Sequence, residues 1–169
     1  MIKLKGKKVQ NMMTIDPGTS SMGWAYWYCL DDKAPRWVDL IITKQTTGIN
    51  WKDRVVHQIE NLWNSLEHVP VPDIVYCEMP EFFNSEGGRA AIGSGAIFKL
   101  VFLVGGLCNM FESHGIPFKL VPVREWKGQL PKDVVKDRIV RLLGRWKTTE
   151  YKQDIWDSVG LGLYIKGLL

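Results

Sequence analysis

The chain has 169 residues, 46% of them hydrophobic, which suits a single domain (1–169) with a substantial core and calls for no second one. Its net charge of +4 is mild but local: residues 119–152 hold ten basic side chains against four acidic ones, a net +6, while the rest of the chain carries −2, so one face is suited to a polyanion. The longest apolar stretch, 96–110, contains Lys99 and two glycines and falls short of the roughly 20 residues a membrane span needs, and Cys29, Cys77 and Cys108 match no zinc spacing, so a soluble chain with reduced core thiols is expected.

In chain order, the basic start Met1-Ile2-Lys3-Leu4-Lys5-Gly6-Lys7-Lys8 leads into a short strand-like run instead of an apolar segment with a cleavage site. A cytoplasmic protein is the expectation. Strands are predicted at 9–15, 24–30 and 38–43, separated by the turns Asp16-Pro17-Gly18-Thr19-Ser20 and Asp31-Asp32-Lys33-Ala34-Pro35. Links this short force antiparallel neighbours, because a parallel return needs a crossover of a dozen residues or more. Residues 51–67 switch to helical spacing, with Trp51, Val55, Ile59, Leu62, Trp63 and Leu66 on one stripe, and Pro70 and Pro72 end the element.

A short apolar strand at 74–77 follows, with Glu78 at its end, then a glycine-rich loop, a long helix over about 94–113 stopped by Gly115, and a fifth strand at 118–121. Residues 131–143 read as an amphipathic helix with Val134, Val135, Ile139 and Leu142 inward and Lys132, Lys136 and Arg141 outward. Thr148 or Thr149 can cap a final helix running to about 166. The order gives an α/β mixed five-stranded sheet, its first three strands antiparallel and the fourth and fifth parallel to the first, with helices on both faces. It is the order expected of ribonuclease-H-like nucleotidyl transferases, although other α/β folds share it.

Four carboxylates carry the chemistry. In such a sheet the first and fourth strands lie side by side and parallel, which brings Asp16 and Glu78 to one edge. Asp154 and Asp157 are three apart on the last helix and face one way. Acids gathered so closely repel and raise each other's pKa, whereas two hard divalent cations about 4 Å apart would be bound by that oxygen set. Magnesium, two ions per site with manganese able to substitute, is the cofactor expected. Such a pair hydrolyses a nucleic-acid phosphodiester in line. Taken singly, each acid has an ordinary explanation: a turn start, a strand end, a helix surface. The apolar, glycine-rich run Val159-Gly160-Leu161-Gly162-Leu163-Tyr164 that follows Asp157 implies close packing, so the acidic end of that helix must meet something.

The segment Ile15-Asp16-Pro17-Gly18-Thr19-Ser20-Ser21-Met22-Gly23-Trp24-Ala25 resembles the opening motif of RuvC-type Holliday-junction resolvases. Their pattern continues with a glutamate closing the fourth strand, here Val75-Tyr76-Cys77-Glu78, and an Asp/His-x-x-Asp helix start, here Asp154-Ile155-Trp156-Asp157. The first segment alone is shared with other nuclease folds and sugar-kinase-like ATPases; all three in order are far more specific.

The resemblance implies a homodimer that binds a four-way DNA junction and nicks two opposing strands symmetrically, in recombination and repair. By matching position, Asp16, Glu78, Asp154 and Asp157 would be the metal ligands, with Asp154 standing where some members have histidine. Family members also use lysines between the fifth strand and the next helix, where Lys127 and Lys132 fall, Lys132 as a catalytic candidate as well as a DNA contact. The segment joining them is shorter than in the bacterial pattern, which suggests a compact, phage-like member in a bacterial or phage-infected cell. Family members place an aromatic after the glutamate matched by Glu78 that stacks on a base at the opened junction, a role for Phe82 or Phe83 worth about 1–3 kcal/mol, the alternative being a hydrophobic staple into the core.

The basic segment is read as a phosphate track through Lys127, Lys132 and Lys136, with Arg89 and Lys99 adding to it. Trp24, Trp27, Trp37, Trp51, Trp63 and Trp156 are read as core, and Trp126 and Trp146 as the two that could meet nucleic acid. No histidine is assigned a role. The long helix is apolar nearly all round, and its surplus suggests a partner subunit, for which a two-fold dimer would suit a near-two-fold junction. Besides the metal, no small-molecule cofactor and no membrane partner is expected. The competing readings are another ribonuclease-H-like nuclease acting on branched DNA or RNA–DNA hybrid, a sugar-kinase-like ATPase, for which the chain is too short, and a DNA-binding module without activity.

Overall fold

The computed structural model describes residues 3–4, 7–28, 34–42, 50–81, 92–128, 130–144 and 151–169. A two-stranded ribbon, β1 (Lys3–Leu4) with β2 (Lys7–Lys8), precedes the sheet; its strands are too short to register as periodicity. The sheet itself consists of β3 (Asn11–Asp16), β4 (Ser21–Tyr28), β5 (Trp37–Ile42), β6 (Ile74–Met79) and β7 (Phe118–Pro122). Its spatial order is β5-β4-β3-β6-β7, with β3, β4 and β5 antiparallel and β6 and β7 parallel to β3. This is the topology expected from the spacing of the elements.

Alternation along the strands divides the core in two. Met13 and Ile15 of β3, Trp24 and Tyr26 of β4 and Val75 and Cys77 of β6 face helix α1 (Trp51–Ser65) and helix α2 (Ala96–Ser113). Met12, Ala25, Trp27, Ile74 and Tyr76 face the opposite way, onto helix α4 (Lys132–Leu143) and helix α5 (Gln153–Ile165). Between β7 and α4 lies a single helical turn, α3 (Val123–Trp126), which hydrophobic periodicity is too coarse to detect. Asn50 caps α1, its side chain accepting from the backbone N–H of Lys52 and Asp53.

Several expectations are corrected. The strand predicted at 24–30 begins at Ser21, because Gly23 pairs with Asp16 and extends the ladder to the turn. The final helix begins at Gln153 without a side-chain cap on Lys152, and Thr148 and Thr149 lie outside the described residues. Leu142 is 45% exposed instead of inward, since Val135 and Ile139 already fill the contact with α5. Trp37 is 39% exposed at the sheet edge, where it packs edge-on to Tyr26 and is not core. At 18 residues, α2 is by length and composition long enough to cross a membrane, contrary to the sequence reading. Here it packs as a core helix, burying Leu103, Val104, Leu107 and Phe111 against α1 and the sheet. Burial holds the Cys77 thiol well above its ordinary pKa, as suits an inert core thiol, and Cys108 is also free; Cys29 lies outside the described residues.

Candidate active site

The period of a strand places the acids. Asp16 ends β3 on the same face as Met12 and Thr14, and Glu78 follows Ile74 and Tyr76 on the matching face of β6. The parallel register pairs Ile15 with Cys77, so Asp16 and Glu78 come one step further along, side by side at the carboxyl ends of adjacent strands. That is also the face on which α5 lies, and α5 brings Asp154 and Asp157 in its first turns.

Two features hold α5 there. Gly23 meets the backbone of Asp154 and Ile155 so closely that any Cβ would overlap the Asp154 carbonyl, and Gly162 lies against the Trp27 indole in the same way. Thr14 is completely buried; its hydroxyl donates to the Ser158 carbonyl at 2.8 Å and accepts from Trp27 Nε1 at 3.0 Å. The helix is thus fixed to β3 and β4 by hydrogen bonds as well as by close packing. On the opposite face Gln58 of α1 donates to the Gly18 carbonyl at 2.8 Å, tying down the turn after Asp16.

The four carboxylates share one electrostatic neighbourhood. Burial first, then the charges of Glu78, Asp157 and Asp154, push the Asp16 carboxyl well above the ordinary carboxylate range, with Lys127 pulling the other way. Each of the other three has a partner. Ser21 Oγ donates to Asp154 Oδ2, Trp126 Nε1 donates to Glu78 Oε2 at 3.1 Å, and Gln153 Nε2 donates to Asp157 Oδ1 at 3.1 Å. Lys127 Nζ lies 2.7 Å from Asp157 Oδ1, both side chains nearly buried.

Among the described residues no three acidic, histidine or cysteine side chains are disposed to grip one ion as they stand. Glu78, Asp154 and Asp157 act on Asp16 through their charge while each keeps a donor of its own. The donor set nevertheless fits a hard divalent cation: it is all oxygen, and the cost of ionising Asp16 among its neighbours is what a bound cation would remove.

Lys127, expected on a phosphate track, instead points into the acidic site. Trp126, considered for nucleic acid, is buried beside Glu78. Lys136 is exposed on α4, with its ammonium 5.5 Å from the centre of the Trp156 ring, and Lys132 opens that helix. Phe82, Phe83, Arg89 and Trp146 lie outside the described residues. Residues that the sequence did not single out as partners of the carboxylates are Ser21, Trp126 and Gln153. Ser21 could have been suspected from its place in the opening motif; the other two carry no signal beyond proximity to an acid or a lysine.

No model of a known protein family matches the chain, and no protein of curated function matches it in sequence. Solved structures do. Thermus thermophilus RuvC in complex with a Holliday junction substrate superposes with a TM-score of 0.69 at 18% identity, covering 91% of this chain and 90% of that one. The same organism's RuvC in a second structure gives 0.67 at 16% identity, covering 94% and 97%. The fowlpox virus Holliday junction resolvase gives 0.51 at 15% identity, covering 94% and 99%. The fold is therefore that of the ribonuclease-H-like class, and within it the chain is similar to RuvC and to a poxvirus resolvase along nearly its whole length.

Proposed function

We propose that this protein is a structure-selective endonuclease that resolves four-way DNA junctions by metal-dependent hydrolysis, acting as a homodimer that nicks opposing strands in symmetric pairs. The observation that supports this most is the gathering of Glu78, Asp154 and Asp157 around Asp16, in a fold matched over nine-tenths of the chain by a resolvase bound to its junction.

Asp16, Glu78, Asp154 and Asp157 would hold magnesium, two ions per site, with manganese able to substitute. Bound there, the metal supplies a water of lowered pKa and offsets charge on the phosphodiester as it breaks. The chain's own residues do the rest. Lys127 balances part of the negative charge from inside the site, and its contact with Asp157 ties that carboxylate to the end of α3. Lys136, exposed on α4, and Lys132 at the start of that helix draw the DNA backbone toward the acids. Phe82 or Phe83 stacks on a base at the junction centre, and Arg89 extends the phosphate track. Exposed Phe98, Val101 and Phe102 on α2 supply an apolar face for the second subunit. The protein works on DNA in the cytoplasm of a bacterial or phage-infected cell.

Matched substrates test the reading: a four-way junction, a fork, a linear duplex and an RNA–DNA hybrid, each with magnesium. The junction is expected to be cut into two nicked duplexes while the linear duplex survives. Equal or faster cutting of the hybrid would assign the chain to a different nuclease of the same fold.

A further inference from the structure

The turn that follows β7 touches three acidic residues in succession. Arg124 donates its backbone N–H to Glu81 Oε2 at 3.0 Å, Trp126 Nε1 donates to Glu78 Oε2 at 3.1 Å, and Lys127 Nζ reaches Asp157 Oδ1 at 2.7 Å. Two adjacent side chains, Trp126 and Lys127, thus hold two of the four candidate ligands. Their chemistry differs. The lysine cancels charge, whereas an indole N–H is neutral and leaves the carboxylate's charge in place while fixing where one of its oxygens points.

The indole is itself immobilised. Trp126 is only 5% exposed, and its ring packs so tightly on α5 that a Cβ at Gly160 would come within 2.7 Å of its Cζ3 and 3.3 Å of its Cη2. To swing away from Glu78 the ring would have to open the contact between α3 and α5. A rigid donor on a ligand side chain is the device that sets a metal site's geometry before the ion arrives.

We propose that Trp126 is a positioning residue for Glu78: its N–H, held in place by the packing of the ring on Gly160, presents that carboxylate to a divalent cation in one orientation. The inference rests on the reading of Glu78 as a metal ligand.

The test is direct binding of Mn2+, followed by the loss of its free electron-resonance signal, to the native chain, to Trp126→Phe, and to the chain with benzothienylalanine placed at position 126. That last ring has the shape of indole but carries sulfur in place of N–H, so it separates the hydrogen bond from the packing even if Trp126→Phe folds poorly. Both altered chains are expected to bind Mn2+ at least about tenfold more weakly, the range for a lost partner of a metal ligand. In junction cleavage the half-maximal magnesium concentration is expected to rise by a similar factor, with the rate recovered at saturating magnesium. Native affinity in the benzothienylalanine chain would overturn the proposal and leave the nuclease reading intact; a native chain that binds no Mn2+ would overturn both.

Discussion

Asp16 is expensive to ionise where it stands. Burial and three neighbouring carboxylates raise its pKa, so between the ordinary carboxylate pKa and the raised folded one the metal-free folded chain holds a proton that the unfolded chain has released. The sign follows: the carboxyl costs nothing below the ordinary carboxylate pKa, and folding stability is lost as pH rises through the elevated folded value. Asp16→Asn should therefore raise the melting temperature of the metal-free protein at neutral pH, and its advantage over the native chain should widen between pH 4 and pH 8. A difference that stays constant over that range, measured with chelator present, would contradict the electrostatic account. Asp16 and Glu78 were readable as partners because strand order and a fixed period bring them together. Lys127 was not: segment charge is visible in a sequence, but which lysine of a basic run turns inward depends on the α3 turn that carries it.

Among the elements, α5 decides the site, and its placement depends on two glycines of close approach. Gly23→Ala should cost about 1–3 kcal/mol, because the added methyl meets backbone at Asp154, which cannot move aside like the end of a flexible side chain. Thermal unfolding checks this, and an unchanged melting temperature would mean that α5 does not lie against β4 as described. The strands and the long helices were legible from periods of two and 3.6, since burial on one face is a repeated signal. The single-turn α3 and the two-residue strands span about one period each, too short for a pattern to repeat, and the sequence offered nothing to mark them. Helix α4 was legible as an element but not in detail. Leu142 lies outward because the apolar stripe of a helix says which side is inward only to within a residue or so.

At the level of the whole molecule, the two sides of the sheet differ in what they expose. The α4 and α5 side carries the acids and the exposed basic residues, and the α1 and α2 side leaves apolar surface uncovered. Phe98 is 66%, Val101 51% and Phe102 54% exposed, and Phe102 packs edge-on to Trp51 at 5.5 Å. With a partner subunit on that face, the native chain sediments as a dimer at micromolar concentration, and Phe98→Glu combined with Val101→Glu converts it to a folded monomer. A native chain that is already monomeric would remove the helix from the interface. The surplus of apolar residues on this helix was visible in the sequence; what covers it was not, because hydrophobic periodicity marks an apolar face and not what meets it.

Acids far apart along the chain meet at the ends of β3 and β6, where the proposed function requires a metal-dependent cutting site. Cleavage of a four-way junction in magnesium by the native chain, Asp16→Asn and Glu78→Gln, with junction binding measured on the same preparations, tests it most directly. The expected result is a loss of cutting beyond about 100-fold in both variants, more than an outer partner of a metal ligand costs, with binding retained; native rates of cutting in either variant would contradict the account.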